Sequence, residues 1–210
     1  MKNSVFFDLD GTLTDPKIGI ARSIQYALEM LDLEAPALDD LNWCIGPPLL
    51  QSLEILVGEK RAAQALIYYR ERFADVGWHE NTPYAGISVT LSNLFDAGLP
   101  LYVATSKPLI YAQKIIEHFG MDQFFRRVFG SELDGTRTDK AELLQYALQE
   151  INSDAGSIMI GDREHDVFGA LSNHMRMIGV SYGFGSLEEL TDAGAVEIVS
   201  QHEELLPLLL

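Results

Sequence analysis

The chain has 210 residues and a formal charge of −16, from 15 lysines and arginines against 31 aspartates and glutamates. This length suits a core domain with at most a modest second module, and the hydrophobic share of 47% excludes global disorder. The acidic charge argues against nucleic acid or an anionic membrane as the main partner.

The chain begins with a predicted strand and continues into a long helical region. Residues 4–7 form a β-branched and aromatic run that predicts a buried strand. From Pro16 onward, apolar residues recur at every third or fourth position, which predicts an amphipathic helix. Helical patterns follow over 48–57 and 60–76 without any strand-like alternation. The sequence therefore predicts an all-helical segment over residues 14–82.

From residue 83 onward, predicted helices and strands alternate. Helices are expected over 87–97, 108–119 and 140–151. Strands are expected over 101–104, 128–129, 157–160, 176–180 and 196–199. Strands separated by helices predict a doubly wound parallel sheet with right-handed crossovers and helices on both faces.

The predicted fold is therefore an α/β, Rossmann-like core with an inserted helical domain. Residues 1–13 and 83–210 would form the α/β core, and residues 14–82 would form the insert after the first strand. The apolar residues 205–210 are too few to anchor the chain in a membrane, so we expect this last segment to dock on the core.

Polar side chains follow three of the predicted strands. They are Asp8, Asp10, Thr105, Ser106, Lys107, Asp162 and Asp166. In a doubly wound sheet, ligands bind outside the carboxyl ends of the strands. We therefore expect these side chains to meet at one edge of the sheet.

The aspartates in this group predict a cation. Asp8, Asp10 and Asp162 would repel one another if brought together, unless a positive ion lay among them. Carboxylate oxygens suit Mg²⁺, which also keeps several waters and binds substrate phosphate. Gly11 permits a tight turn after the first strand, and the exposed amides of such a turn can bind phosphate oxygens.

Four stretches of the chain resemble the motifs of the haloacid dehalogenase superfamily. Residues 8–15, DLDGTLTD, are similar to its first motif. Thr105 or Ser106, then Lys140, then the run 161–166, GDREHD, resemble the second, third and fourth. The insert over 14–82 resembles the helical cap of the family, and the whole resembles the bacterial phosphatases grouped with phosphoglycolate phosphatase.

The resemblance implies a role for each acid. Asp8 would attack phosphorus and form an aspartyl-phosphate, while Asp10 would protonate the leaving oxygen and later deprotonate water. Mg²⁺ would be held by the Asp8 carboxylate, the Asp10 backbone carbonyl and Asp162, with Asp166 supporting it directly or through water. Asp166 has an alternative interpretation as an acid in the first turn of a helix, favoured by the helix dipole.

The remaining predicted site residues would bind the phosphoryl group. The resemblance implies that Thr105, or Ser106 in its place, and a neighbouring amide hold phosphoryl oxygens, with Gly11 shaping the turn beside them. Lys140 would neutralise and orient Asp8, and Arg137 is an alternative for this role.

The expected activity is Mg²⁺-dependent hydrolysis of a phosphomonoester on a small metabolite, either phosphoglycolate-like or nucleotide-like. The acid at Asp10 favours phosphate esters over halides, because a halide leaves without protonation, and the dehalogenases of the superfamily lack this acid. Two alternatives stay open: a sugar phosphomutase of the same superfamily, and a phosphoacceptor signalling module.

The remaining expectations concern location and assembly. No apolar run approaches the roughly 18 residues that cross a bilayer, and no signal peptide is evident. The one cysteine, Cys44, can form no internal disulfide, which fits a reducing compartment. We expect a cytoplasmic monomer or homodimer with a small phosphorylated metabolite as its partner.

Overall fold

The computed structural model describes residues 3–153 and 156–210. The chain divides into two compact units, one comprising Met1–Asp15 with Pro83–Leu210 and the other comprising Pro16–Thr82. The assignment of the first unit as the catalytic core and of the second as a cap stays a prediction.

The strands and helices alternate along most of the chain. The strands are β1 (Val5–Phe7), β2 (Thr14–Asp15), β3 (Thr82–Pro83), β4 (Leu101–Pro108), β5 (Arg127–Ser131), β6 (Ile158–Gly161), β7 (Arg176–Val180) and β8 (Glu197–Val199). The α-helices are α1 (Lys17–Glu29), α2 (Leu49–Val57), α3 (Glu59–Arg72), α4 (Ile87–Asp96), α5 (Leu109–His118), α6 (Lys140–Glu150), α7 (Glu164–Ser172), α8 (Leu187–Asp192) and α9 (Leu205–Leu209).

The first unit contains the predicted parallel sheet, in the order β5-β4-β1-β6-β7-β8. The order explains where the helices lie. The crossover through α5 moves outward from β4 to β5, whereas those through α6, α7 and α8 move in the opposite direction, from β5 to β6, β7 and β8. Since such crossovers are right-handed, the two groups of helices cover opposite faces of the sheet. The reversal beside β1 makes its carboxyl end the expected ligand site.

An apolar cluster fills the space between the sheet and the helices α6, α7 and α8. Phe6, in the middle of β1, is fully buried and stacks on Tyr102 with ring centroids 5.0 Å apart. Leu143 and Val167, on helices α6 and α7, are also fully buried in this cluster. Burying each large apolar side chain contributes about 1.5–3 kcal/mol, so the apolar run of β1 fixes the strand at the centre of the sheet.

The second unit is formed by α1, α2 and α3 with irregular connections. Residues Leu38–Cys44 form a 3₁₀ turn, and a π-helical turn, Phe73–Gly77, extends α3. The two terminal guanidinium nitrogens of Arg72 donate to Glu80, at 2.7 and 3.1 Å. The three helices agree with the predicted helical patterns.

The prediction that residues 14–82 are helical throughout is wrong at both ends. There, β2 and β3 pair into a separate two-stranded sheet. Strands of two residues are too short to produce an alternating pattern, so the sequence contains no periodic signal for them.

Three further differences lie in the first unit. The strand predicted over 101–104 extends to Pro108 as β4, with a shift of register against β5 between Thr105 and Pro108. Helices α7 and α8 were not expected as elements.

The last segment docks as predicted, because α9 packs against α4 and Leu205 is fully buried. In the described part of the chain, no helix is both long and apolar enough to cross a membrane.

Candidate active site

A tight turn follows β1 and places Asp8 at the centre of the sheet edge. The Leu9 carbonyl accepts the amides of Leu13 and Thr14, at 2.9 and 3.0 Å. Gly11 has φ +86°, and a Cβ at this position would lie 2.1 Å from Asp162 Oδ2. Only glycine fits, because a side chain would be strained by the backbone and would collide with the carboxylate.

Three aspartates from distant parts of the chain meet beside this turn. Asp8 follows β1, Asp162 follows β6, and Asp166 lies in the first turn of α7. Each is buried, and one carboxylate oxygen from each lies within 4.8 Å of the others. The parallel pairing of β1 with β6 brings the ends of these strands to the same edge.

Lys140 lies between two of these acids. It is the first residue of α6, whose N-cap Asp139 accepts the Glu142 amide at 3.0 Å. Its Nζ lies 3.0 Å from Asp8 Oδ1 and 2.7 Å from Asp166 Oδ1, and donates to the Ala104 carbonyl at 2.9 Å. Burial lowers the pKa of Lys140, but Asp166 and Asp8 outweigh this and hold the pKa above its usual value.

Arg137, the alternative for the role of Lys140, has other partners. Its guanidinium pairs with Glu132 and lies 4.4 Å from the centroid of the Tyr146 ring. The structure therefore brings Lys140 to Asp8 and directs Arg137 to a different surface.

Asp10 pairs with a lysine that the sequence analysis did not rank as a site residue. Lys107 Nζ lies 2.5 Å from Asp10 Oδ2, and both residues are buried. Asp10 Oδ1 is also buried and has no hydrogen-bond partner among the described residues. Burial raises the pKa of Asp10, and Lys107 offsets part of this increase. The sequence signal that could have identified Lys107 as a site residue is its position directly after Ser106.

The Asp10 carboxylate is not part of the three-acid cluster found in the described residues. This agrees with a contribution of Asp10 to a metal through its backbone carbonyl alone, which stays a prediction.

The two acids from the β6 side have hydrogen bonds of their own. Asp162 Oδ2 accepts the Phe184 amide at 2.8 Å, yet burial, Asp166 and Asp8 hold the pKa of Asp162 well above its usual value. Asp166 Oδ2 accepts the Arg163 amide at 3.1 Å. This contact fits the alternative interpretation of Asp166 as an acid in the first turn of a helix. Its other oxygen faces Lys140, and burial raises the pKa of Asp166 to about 6.

Thr105 and Ser106 lie at the irregular end of β4. Thr105 is buried, and its hydroxyl oxygen accepts the Lys107 amide at 3.3 Å. The hydroxyl hydrogen of Thr105 therefore remains to donate to a ligand. Ser106 is half-buried, and its carbonyl accepts the Ser131 hydroxyl at 2.8 Å.

The charges and distances of this site fit a divalent cation. When ionised, the four carboxylates and the ammonium groups of Lys107 and Lys140 carry a net charge of −2, and all six groups are buried. Mg²⁺ binds oxygen at about 2.1 Å, so two of its ligands lie at most about 4.2 Å apart. The 4.8 Å spread of the three acids needs only a small contraction to meet this limit. Asp8, Asp162 and Asp166 are therefore the side chains that could hold the metal.

Comparison with known proteins gives the family. The model of the haloacid dehalogenase-like hydrolases matches residues 5–180. A 5′-nucleotidase of Pseudomonas aeruginosa is 50% identical over 190 residues, which cover 89% of this chain and 86% of that protein. Tyrosine-protein kinase PtkA of Mycobacterium tuberculosis is 37% identical over 86% of this chain and 62% of its own length.

Solved structures show the same architecture. The crystal structure of a predicted phosphatase from Clostridium acetobutylicum has a TM-score of 0.94 and 46% identity. The match covers 98% of this chain and 96% of that one.

Proposed function

The chain belongs to the haloacid dehalogenase-like hydrolases, and we propose that it is a Mg²⁺-dependent phosphatase that forms an aspartyl-phosphate on Asp8. The observation that best supports this proposal is the position of Lys140 between Asp8 and Asp166, beside Asp162. Such an arrangement holds a buried carboxylate in a fixed orientation beside a fixed positive charge, as a nucleophile requires.

In the first step, an Asp8 oxygen attacks phosphorus and the bond from phosphorus to the ester oxygen breaks. Lys140 holds Asp8 Oδ1, which leaves the other oxygen of this carboxylate to act as the nucleophile. Positioning and charge stabilisation dominate phosphoryl transfer, so a fixed carboxylate beside a fixed ammonium group favours this step.

Asp10 supplies the proton that the leaving alkoxide needs. Its Oδ2 is held by Lys107, and its buried Oδ1 is the oxygen without a protein partner among the described residues. Burial raises the pKa of Asp10, which favours a protonated carboxyl group that can act as an acid. The resulting carboxylate would then remove a proton from the water that hydrolyses the aspartyl-phosphate.

The phosphoryl oxygens would be bound at the ends of β1 and β4. The Thr105 hydroxyl has a hydrogen to donate, and Ser106 and the turn at Gly11 lie at the same sheet edge. When bound by Asp8, Asp162 and Asp166, Mg²⁺ would neutralise charge on the phosphoryl group. The second unit, residues 14–82 in the sequence-based division, would act as the cap that selects the substrate.

The substrate would be a small phosphate monoester. The name of the relative at 50% identity, a 5′-nucleotidase, supports nucleoside 5′-monophosphates as the first class to test. Phosphoglycolate is the second class, supported by more distant relatives such as the phosphoglycolate phosphatase of Photobacterium profundum, at 25% identity. A phosphomutase would use the same acids but would isomerise a sugar phosphate without net release of phosphate.

The proposal is tested by measuring phosphate release from nucleoside 5′-monophosphates, phosphoglycolate, sugar phosphates and p-nitrophenyl phosphate. We expect activity that EDTA abolishes and Mg²⁺ restores. Asp8→Asn should reduce turnover by at least about a thousandfold, because the amide is a poor nucleophile. Asp192→Asn, the same change at an exposed aspartate of α8, should leave turnover unchanged.

Two results would contradict the proposal. The first is full activity in Asp8→Asn, because this result would show that Asp8 is not the nucleophile. The second is a stable phosphorylated protein with no turnover, which would favour the phosphoacceptor module over the phosphatase.

A further inference from the structure

We propose that Tyr182 is a positioning residue that orients Asp162 for the metal by fastening the turn after β1 to the loop after β7. This inference rests on the proposed function, since it concerns the Mg²⁺ site described above. Tyr182 belongs to none of the four motifs, and it acts through Thr12 rather than on the metal or the substrate.

The hydrogen bonds run from Tyr182 to Asp162 through the turn. The Tyr182 hydroxyl donates to the Thr12 carbonyl at 2.9 Å, across 170 positions of sequence. The hydroxyl of the same threonine lies 3.4 Å from Asp162 Oδ1, to which it donates a weak hydrogen bond. From the loop that contains Tyr182, the Phe184 amide donates to the other oxygen, Asp162 Oδ2, at 2.8 Å. Donors from two loops thus approach Asp162 from both sides, and Tyr182 connects those loops.

Two glycines of the loop after β7 lie too close to Asp162 for a side chain at either position. A Cβ on Gly183 would lie 2.4 Å from the Gly11 carbonyl oxygen and 2.5 Å from Asp162 Oδ2. A Cβ on Gly185 would lie 1.9 Å from the Asp162 carbonyl oxygen. Because the backbones are in direct contact, a displacement of this loop would displace the carboxylate as well.

The Tyr182 ring is itself held in place. It packs edge to face on Tyr84 and on His202, with centroids 5.0 and 6.2 Å away. His202 Nε2 lies 2.8 Å from the Ala85 carbonyl oxygen, and Nδ1 lies 2.8 Å from the Thr90 hydroxyl. Since a carbonyl only accepts, Nε2 carries a hydrogen and donates it to Ala85, and Nδ1 contacts the Thr90 hydroxyl. Both sides of the imidazole are thus fixed, and so is the aromatic surface behind Tyr182.

Partners that orient metal ligands contribute to metal affinity even though they do not touch the ion. The net free energy of one hydrogen bond corresponds to about a fivefold change in an equilibrium constant. We therefore expect Tyr182→Phe, which keeps the ring and its packing, to raise the dissociation constant for Mg²⁺ about fivefold.

The experiment measures binding of Mg²⁺ alone by titration calorimetry, with Mn²⁺ and its electron paramagnetic resonance signal as a second probe. Neither readout requires turnover. Tyr146→Phe is the matched control. Tyr146 lies on α6 in the same unit, and the substitution removes a tyrosine hydroxyl that lies 3.4 Å from Arg127. This control should bind Mg²⁺ as the wild type does. Thermal unfolding in EDTA, recorded for each variant, separates a loss of stability from a loss of affinity.

Each outcome has one meaning. A weaker affinity in Tyr182→Phe, with Tyr146→Phe unchanged, supports the positioning role. An active wild type whose Mg²⁺ affinity is unaffected by Tyr182→Phe would overturn this inference alone, even if the variant melted at a lower temperature. A wild type that binds no divalent cation and hydrolyses no phosphate ester would overturn the proposed function and this inference with it.

Discussion

Replacing Lys140 by methionine should destabilise the protein by an amount that depends on pH. The lysine side chain is only 4% exposed, and its ammonium group lies within 3.0 Å of both Asp8 and Asp166. Methionine preserves the aliphatic packing but leaves two buried carboxylates without their cation. Removing one partner of a buried ion pair costs about 3–5 kcal/mol. Protonation of an acid limits the cost, so we expect about 3 kcal/mol at pH 7.

The pH dependence follows from the pKa shifts. The pKa of Lys140 is raised in the folded protein, so the lysine stays protonated and its stabilising contribution is fully present below its ordinary pKa. In the variant, both acids lose their cation, and the pKa of Asp166, which burial already raises, rises further. The folded state then binds more protons than the unfolded state, so stability increases as the pH falls. The difference from wild type should shrink by about half between pH 7 and pH 5.

Urea denaturation in EDTA, followed by circular dichroism at both pH values, measures this difference. EDTA is needed because a bound cation would compensate for the missing ammonium group. Wild type must be measured at each pH, since Asp166, with a pKa of about 6, contributes its own pH dependence. Lys60→Met, the same change at an exposed lysine of α3, should stay within about 0.5 kcal/mol.

A Lys140→Met variant as stable as this control at pH 7, or one whose deficit grows on acidification, would refute the reasoning. The same variant should also lose about a hundredfold to a thousandfold in kcat, since it lacks one fixed positive charge beside the phosphoryl group.

Two further predictions concern the turn after β1. Gly11→Ala should abolish Mg²⁺ binding and lower the melting temperature, because its Cβ would lie 2.1 Å from Asp162 Oδ2. The control is Gly98→Ala, at a position where φ is +77° and a Cβ would meet no atom within 4 Å. This control should lower the stability by only about 1–2 kcal/mol, through backbone strain. Equal effects of the two alanines would contradict this account. Asp10→Asn should slow single-turnover release of the alcohol about 10²–10⁴-fold with an alkyl phosphate, and much less with p-nitrophenyl phosphate, whose leaving group needs no acid. The same loss with both substrates would exclude Asp10 as the general acid.

Much of the fold was predictable because it depends on short-range patterns. The strand at Val5–Phe7 and the helix at Lys140–Glu150 follow from local apolar periodicity, and both are confirmed within one or two residues. Helix α7 was missed because its first residues also form the motif that was interpreted chemically, so their capping role was only an alternative for Asp166.

The candidate site was predictable in its chemical groups but not in its pairings. Asp8 and Asp162 were identified from their positions after predicted strands, and Lys140 from the resemblance to the family's third motif; the structure brings the three together. Lys107 was expected at the same sheet edge but was given no role, because long basic side chains are more often solvated, and nothing local indicates its pairing with Asp10.

The sequence by itself determined the main strands of the parallel sheet, the longer helices, and which acids, hydroxyls and lysines follow the strands, because these depend on residues two to four positions apart. Only the tertiary structure decided the contacts across long separations: Lys140 rather than Arg137 beside Asp8, Lys107 on Asp10, and the Tyr182 hydroxyl on the Thr12 carbonyl. These contacts depend on strand order and on how closely two loops approach, and the packing of the whole first unit sets both.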